Sequence, residues 1–288
     1  MTVHLVVGGF PPGQRAGHDM DAVRLRLLQY LSDAGAAATV SGDFADLERW
    51  LPVSRALVTY TAGPHPDGAA LGALDAWLAG GGRWFALHGT AGGRAAPLGD
   101  GTRARRMVRT GHHDTLGAYF LNHPPIRRFR VDVVPGARDL DRHGERLLRD
   151  VPDAFEVDDE LYLVEVRGAG TRVLLRTDLP DDPTPPGFGF AVPEDTSLLA
   201  DGRSRALGTL RLVPRAGVGP DDGPDDEPGG VAYVALGHRH DPATNIQPFV
   251  DGSLGTDGTT PLGFAGPWDT PGFEQLVRNG IAWSLGRP

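Results

Sequence analysis

The sequence predicts an α/β protein with a flavodoxin-like, doubly wound, mostly parallel sheet, helices on both faces, and added antiparallel strands and loops. Three observations carry that prediction. The first 90 residues alternate short β-rich runs with helical patterns, as βαβ units do. Two runs, Trp84–Leu87 and Val231–Leu236, read as buried strands, each followed by a histidine, His88 or His238. The middle of the chain instead alternates apolar and polar residues, as antiparallel additions do.

Val3–Val7 is a β-rich run followed by Gly8-Gly9. Asp19 can cap a helix whose apolar positions Met20, Val23, Leu27, Leu28 and Leu31 follow helical spacing, and Gly35 ends it. Ala38–Ser41 is a second strand, Phe44, Leu47 and Leu51 mark a short helix, and Ala56–Tyr60 is a third strand. A helix over Asp67–Ala79 turns Leu71, Leu74 and Leu78 inward and stops at Gly80-Gly81-Gly82. Trp84–Leu87 is the fourth strand. Right-handed crossovers between these strands put helices on both faces.

Beyond residue 90, Arg128–Val134, Leu161–Val166, Arg172–Arg176 and Leu207–Val213 are strand candidates. Pro180–Pro186 reads as loop. Residues 217–230 mix Gly and Pro with Asp221, Asp222, Asp225, Asp226 and Glu227, a solvated acidic loop whose spacing fits no EF-hand. Val231–Leu236 is the last strand, and an extra loop, 241–268, precedes the final helix. That helix opens on Thr270-Pro271, with Phe273, Leu276, Val277, Ile281 and Leu285 on one side and Gly286 beyond its end. One domain spanning 1–288 is expected.

Composition excludes several chemistries. The chain has 288 residues, 40 % of them apolar, and no cysteine, so disulfides, zinc–thiolate sites and thiol nucleophiles are excluded. Every basic residue is arginine, which removes lysine Schiff bases. The net charge of −9 argues against a nucleic-acid partner. No secretory signal or bilayer-length apolar run is evident, so a cytoplasmic location without membrane contact is expected. A homo-oligomer is compatible with the sequence.

The remaining candidates are histidines and carboxylates. In open α/β sheets ligands bind beyond the carboxyl ends of the strands, where His88 and His238 stand, with His240 two residues on. His18 follows the first strand's loop, His123 lies in Asn122-His123-Pro124-Pro125, and Glu160 precedes Leu161-Tyr162. Such a mixture acts as general acid and base near neutral pH, or ligates a divalent metal. His4 is read as structural, His65 and His143 as solvated, and His112 and His113 as equally balanced between function and surface loop. Gly89–Gly93 lacks the endings of phosphate-binding loops, as does Gly8-Gly9-Phe10. A residue in a tight glycine-rich turn after a strand has the geometry of exposed nucleophiles. Here that residue is His88, with Thr90 nearby as a weaker candidate.

Four ordered segments together resemble the ThuA-like (trehalose utilisation) family. They are Gly80–Gly89 with its Leu87-His88, Leu116–Pro124 with its His123-Pro124, Val157–Tyr162 with its Asp-Glu-Leu-Tyr, and Val231–His238 with its Leu-Gly-His, followed by Gly280-Ile281-Ala282-Trp283. The resemblance implies a class I glutamine amidotransferase-like fold in which His88 replaces the amidotransferase cysteine, so that glutaminase activity is lost. It also implies carbohydrate metabolism, with a small-molecule carbohydrate as partner: a disaccharide, glycoside or 3-keto derivative. His88, Glu160 and His238 are then the expected catalytic residues, and His18, His123, Tyr162, Thr90 and His240 the substrate contacts. A divalent metal, zinc or manganese, is admitted on His88, His123 and His238. The alternative is a non-catalytic sugar- or partner-binding module on a decayed amidotransferase scaffold. The glycine-rich segment after His88 departs from the family pattern and leaves the substrate open.

Overall fold

The structure is a computed structural model that describes residues 2–8, 17–215, 227–244, 254–259 and 262–287. The Gly9-Phe10 part of the first glycine turn, residues 217–226 of the acidic loop and parts of the 241–268 loop lie outside those residues.

A nine-stranded sheet forms the centre. Its parallel half contains β1 (Thr2–Gly8), β2 (Ala37–Ser41), β3 (Ala56–Thr61) and β4 (Arg83–Leu87). Two antiparallel pairs stand apart from it: β5 (Arg94–Pro97) with β6 (Arg105–Val108), and β7 (Ala118–Asn122) with β10 (Leu163–Val166). The sheet continues through β8 (Arg127–Val133), β9 (Ala154–Asp159), β11 (Arg172–Asp178), β12 (Ser204–Val213) and β13 (Gly229–Val234). The strand order is β2-β1-β3-β4-β13-β12-β11-β8-β9. Pairings from β2 to β13 are parallel and those from β13 to β9 antiparallel. The expected parallel sheet with antiparallel additions is therefore the observed one.

The helices are α1 (Met20–Asp33), α2 (Leu47–Trp50), α3 (Gly68–Ala79), α4 (Gly111–Leu116), α5 (Arg142–Leu148) and α6 (Pro271–Ser284). Strands covered on both faces are apolar on both, and two cores result. One face joins Val23, Leu27 and Leu31 of α1 to Phe273, Leu276 and Ile281 of α6 over Val3, Leu5, Val58 and Phe85. The other joins Leu47, Leu74 and Leu78 to Val6, Leu57, Trp84 and Tyr233. With β4 and β13 adjacent and parallel, the turns holding His88 and His238 leave the same edge of the sheet. Among the described residues no helix is long and apolar enough to cross a membrane.

The middle of the chain differs from its sequence reading in detail. Leu161–Val166 is a strand only from Leu163, and Ala154–Asp159 is a separate strand. Strands β5, β6 and β7 and helices α4 and α5 carry no long periodic pattern and were not expected. Two histidines are corrected. His143, expected to be solvated, is 3 % exposed, and its Nδ1 accepts from Trp283 Nε1 at 3.1 Å. His65, also expected to be solvated, keeps both ring nitrogens buried and stacks on His112 at 4.4 Å. His112 and His113 are not on a surface loop, since both are buried at the start of α4. His113 Nδ1 accepts the Thr110 N–H at 2.9 Å and its Nε2 donates to Gly92 O at 2.9 Å. His4 is structural, bonded to Thr39 at 2.8 Å.

Candidate active site

The turn after β4 is an elbow. His88 has φ +46°, a left-handed conformation uncommon outside glycine, and opens a 3-10 turn over His88–Ala91. Gly89 is required there, because a Cβ would stand 2.5 Å from the Thr61 carbonyl oxygen. The elbow carries a buried imidazole in place of an exposed nucleophile. His88 Nδ1 lies 2.8 Å from the Ala235 carbonyl, which can only accept, so Nδ1 carries the proton. Nε2 is thereby aimed at Glu160, with Oε2 at 3.1 Å. Tyr162 stacks on the His88 ring at 4.2 Å.

The turn after β13 is held by a carboxyl group. Asp159, the last residue of β9, accepts the N–H groups of Glu160 (2.8 Å), Gly237 (2.7 Å) and His238 (2.9 Å). The Gly237 carbonyl accepts from Tyr60 Oη at 3.0 Å and from Trp268 Nε1 at 2.8 Å. His238 Nδ1 then faces Glu160 Oε1 at 3.2 Å, and its Nε2 lies 2.9 Å from His240 Nδ1. Burial pushes the Asp159 pKa up to about 7 against the opposing pull of His88 and of its N–H donors.

Two further histidines complete the ring around Glu160. His18 precedes the α1 cap Asp19, whose N–H donates to Arg239 O at 2.7 Å and so ties the helix start to the His238 segment. Its Nε2 is 4.0 Å from Glu160 Oε2. His123 follows β7; Nδ1 donates to Pro124 O at 2.8 Å, and Nε2 lies 3.8 Å from Glu160 Oε1. Burial alone would raise the Glu160 pKa, yet His123, His238 and His88 hold it well below the usual carboxylate range. Burial works to lower His88, but its bond to Glu160 overrides this and leaves it raised. His238 goes the other way, lowered by burial despite Glu160. His88 and Glu160 thus each favour the charged form of the other, while burial opposes charge on His238.

A cavity of about 1030 Å³ opens over this ring. His18, His123, Glu160 and Tyr162 line one end, and Phe120, Phe188 and Phe190 line the wall beside them. His88 and His238, expected as catalytic residues, are fully buried behind Glu160 and are not among the lining residues. Thr90, expected to meet substrate, is fully buried, with its hydroxyl 3.1 Å from that of Thr59. His240 is not a lining residue; it packs on Phe264 at 5.2 Å, and its pKa is lowered to about 4 by burial and His238.

The donor set fits a divalent metal. One ligand atom from each of His18, His88, Glu160 and His238 lies within 4.8 Å of the others. Imidazole nitrogen with carboxylate oxygen suits zinc or manganese. The Nδ1 bond from His88 to Ala235 and the Nε2 contact of His238 with His240 are the kind of outer hydrogen bonds that orient metal-binding imidazoles. The set differs from the expected one: His18 and Glu160 belong to it, and His123 does not. Sequence reasoning also missed the brace from Asp159, although Asp159-Glu160 adjacency was visible. It missed the Tyr60 and Trp268 anchors, which depend on contacts across 177 and 31 residues.

No family model matches the chain, and no curated protein matches it. Solved structures do. A ThuA-like protein from Parabacteroides merdae aligns with a TM-score of 0.55 at 14 % identity, over 100 % of this chain and 91 % of that one. A second, from Bacteroides uniformis, aligns with a TM-score of 0.53 at 13 % identity, over 98 % and 89 %. The chain has the fold that its resemblance to the ThuA-like family implies, shared over nearly the whole length of both.

Proposed function

We propose that the chain is a carbohydrate-processing enzyme that acts on a glycoside or disaccharide carrying a 3-keto group. The observation that carries the reading is the His123–Glu160 pair at the end of the cavity. His123 donates Nδ1–H to Pro124 O, which turns its Nε2 towards the Glu160 carboxylate on the cavity wall. An imidazole nitrogen paired with a carboxylate is the acid–base couple that such chemistry needs.

A ketone at C3 acidifies the C2 proton. His123 Nε2 takes that proton, and the electron pair forms the C1=C2 double bond as the bond from C1 to the glycosidic oxygen breaks. The imidazolium, stabilised by the Glu160 carboxylate, returns the proton to the departing oxygen. Tyr162 and the Phe120–Phe188–Phe190 wall give the sugar faces an apolar surface, and His18 meets its hydroxyls. His18, His88, Glu160 and His238 would hold a divalent metal, which would supply Lewis-acid polarisation of the ketone. His88 and His238 act through Glu160 as positioning residues.

Purified protein is incubated with 3-keto-trehalose and other 3-keto-disaccharides, with and without zinc or manganese, and release of the monosaccharide is followed. His123→Ala and Glu160→Gln are expected to lower kcat by about 10²–10⁴-fold, the usual range for a lost acid–base group. Parent rates in both variants, or binding without turnover by the parent, would sink the reading; the second result identifies a binding module.

A further inference from the structure

A second stretch of the cavity lining has a different chemistry. The β5–β6 hairpin supplies it, with Ala95 opposite Met107 and Pro97 opposite Arg105, so these four share a face, while Arg94, opposite Val108, belongs to the other. Arg94, Ala95, Arg105 and Met107 line the cavity. Residues 94–109 hold five arginines and one acid, Asp100, in a chain whose net charge is −9. Neither Arg94 nor Arg105 makes an ion pair among the described residues, whereas most arginines elsewhere do. Arg105 spends one N–H on Ala95 O at 2.9 Å, and its other donors have no partner among the described residues. Asp67, the acid on this stretch of wall, is joined to neither arginine by an ion pair.

A second feature lies in the same wall. His65 lines the cavity, and both of its ring nitrogens are buried with no hydrogen-bond partner. Its ring is fixed flat against His112, 4.4 Å between centroids and 4° between planes. Burial and His113 lower its pKa to about 3, so the ring is neutral. Both nitrogens are shut off from the cavity, so the ring gives this wall a flat neutral face and no hydrogen-bonding partner.

We infer that this stretch of the cavity is a second subsite, which takes an anionic group on a ligand unit other than the one at Glu160. Arg105, on the face with Ala95 and Met107, is its cationic partner, Arg94 is a second cation in the lining, and the His65 ring is a flat neutral wall. The inference rests on the carbohydrate reading above and names the substrate class as acidic sugars, carrying carboxylate or phosphate. Guanidinium groups pair with both anions through two parallel N–H donors. The volume of about 1030 Å³ stands at the top of the common range for small-molecule sites, about 300–1,000 Å³, and leaves room for a second sugar unit.

Titration calorimetry on the parent and on Arg94→Ala/Arg105→Ala tests this with matched probes. These are glucose, glucuronate and glucose 6-phosphate; trehalose and trehalose 6-phosphate; and inorganic phosphate alone. The anionic sugars are expected to bind the parent at least tenfold more tightly than their neutral partners, with that preference lost in the double variant and kept in His123→Ala. The glucuronate and phosphate arms separate the two anions. Equal binding of neutral and anionic sugars, or a preference that survives the double variant, overturns the inference and leaves the carbohydrate reading intact. Inorganic phosphate binding as tightly as the sugar phosphates, with the same loss in the variant, upholds the anion subsite and overturns the carbohydrate reading. Absence of binding by every probe overturns both.

Discussion

The carboxylate of Asp159 accepts the backbone N–H of His238 at 2.9 Å, so one edge strand fixes the register of a turn that leaves the centre of the sheet. The same Oδ1 accepts the N–H of Glu160, and Oδ2 accepts that of Gly237. Asp159 therefore sets the spacing between Glu160 and His238 without touching the cavity. Asp159→Asn keeps the shape but forces an amide either to face the Gly237 N–H or to give up the bonds on the other side. A buried donor left unpaired costs about 1–3 kcal/mol. Urea unfolding of the variant should show a loss of that size, and a midpoint equal to the parent's would refute the bracing role.

Gly89 tests the elbow. A methyl group there meets the Thr61 carbonyl at 2.5 Å, and backbone on both sides must move. Gly89→Ala should destabilise the fold by about 1–3 kcal/mol, the usual range for overpacking. Because His88 is the preceding residue, the 3.1 Å contact with Glu160 should loosen as well. His88→Ala goes further, since it leaves the Glu160 carboxylate buried beside fewer cations, and removing one member of a buried pair costs about 3–5 kcal/mol. Thermal unfolding that ranks His88→Ala at or above the parent would contradict the ion pair.

The first strands of the parallel half were legible because β1 and β3 are each followed by a helix, α1 and α3, with a clear apolar stripe. His88, His238 and Glu160 were legible for a related reason: two end buried strands and the third lies in a short motif. What escaped was decided by distant contacts. Thr90 sits two residues past His88, yet the 3-10 turn buries its hydroxyl against Thr59. His143 lies among charged residues in sequence, but Trp283, 140 residues away, supplies its partner. Helix α4 and strands β5 and β6 are too short for their period to show. Arg94 and Arg105 drew no reading from the sequence, because their place in the cavity lining depends on the hairpin pairing.

His143 gives a pH dependence away from the site. Burial, aided by Arg83, lowers its pKa to about 4, against 6.5 for the free side chain. The unfolded chain takes up a proton below about 6.5, and the folded chain only below about 4. Between these values unfolding binds a proton, so the contribution is fully present above pH 6.5 and is lost as the pH falls towards 4. The slope for one proton is at most about 1.4 kcal/mol per pH unit. His143→Asn, which retains an acceptor for Trp283, should flatten the stability curve between pH 4 and 6.5. An unchanged acid limb in the variant would assign that slope to other groups.

His123 and His18 stand at nearly the same distance from Glu160, 3.8 and 4.0 Å, yet only His18 shares the four-residue donor cluster. Metal binding should therefore divide the two. A ligand held only by the folded state raises stability by RT ln(1 + [L]/Kd), about 2.7 kcal/mol at a hundredfold excess over Kd. Zinc or manganese at that excess should raise the melting temperature of the parent, and a chelator should reverse the shift. Glu160→Gln and His238→Ala should abolish it, because each removes a donor atom. His123→Ala should keep it in full while losing turnover, since the residue serves the proton and not the metal. A shift lost in His123→Ala but kept in His18→Ala would move the metal to the other side of Glu160 and remove His123 as the base.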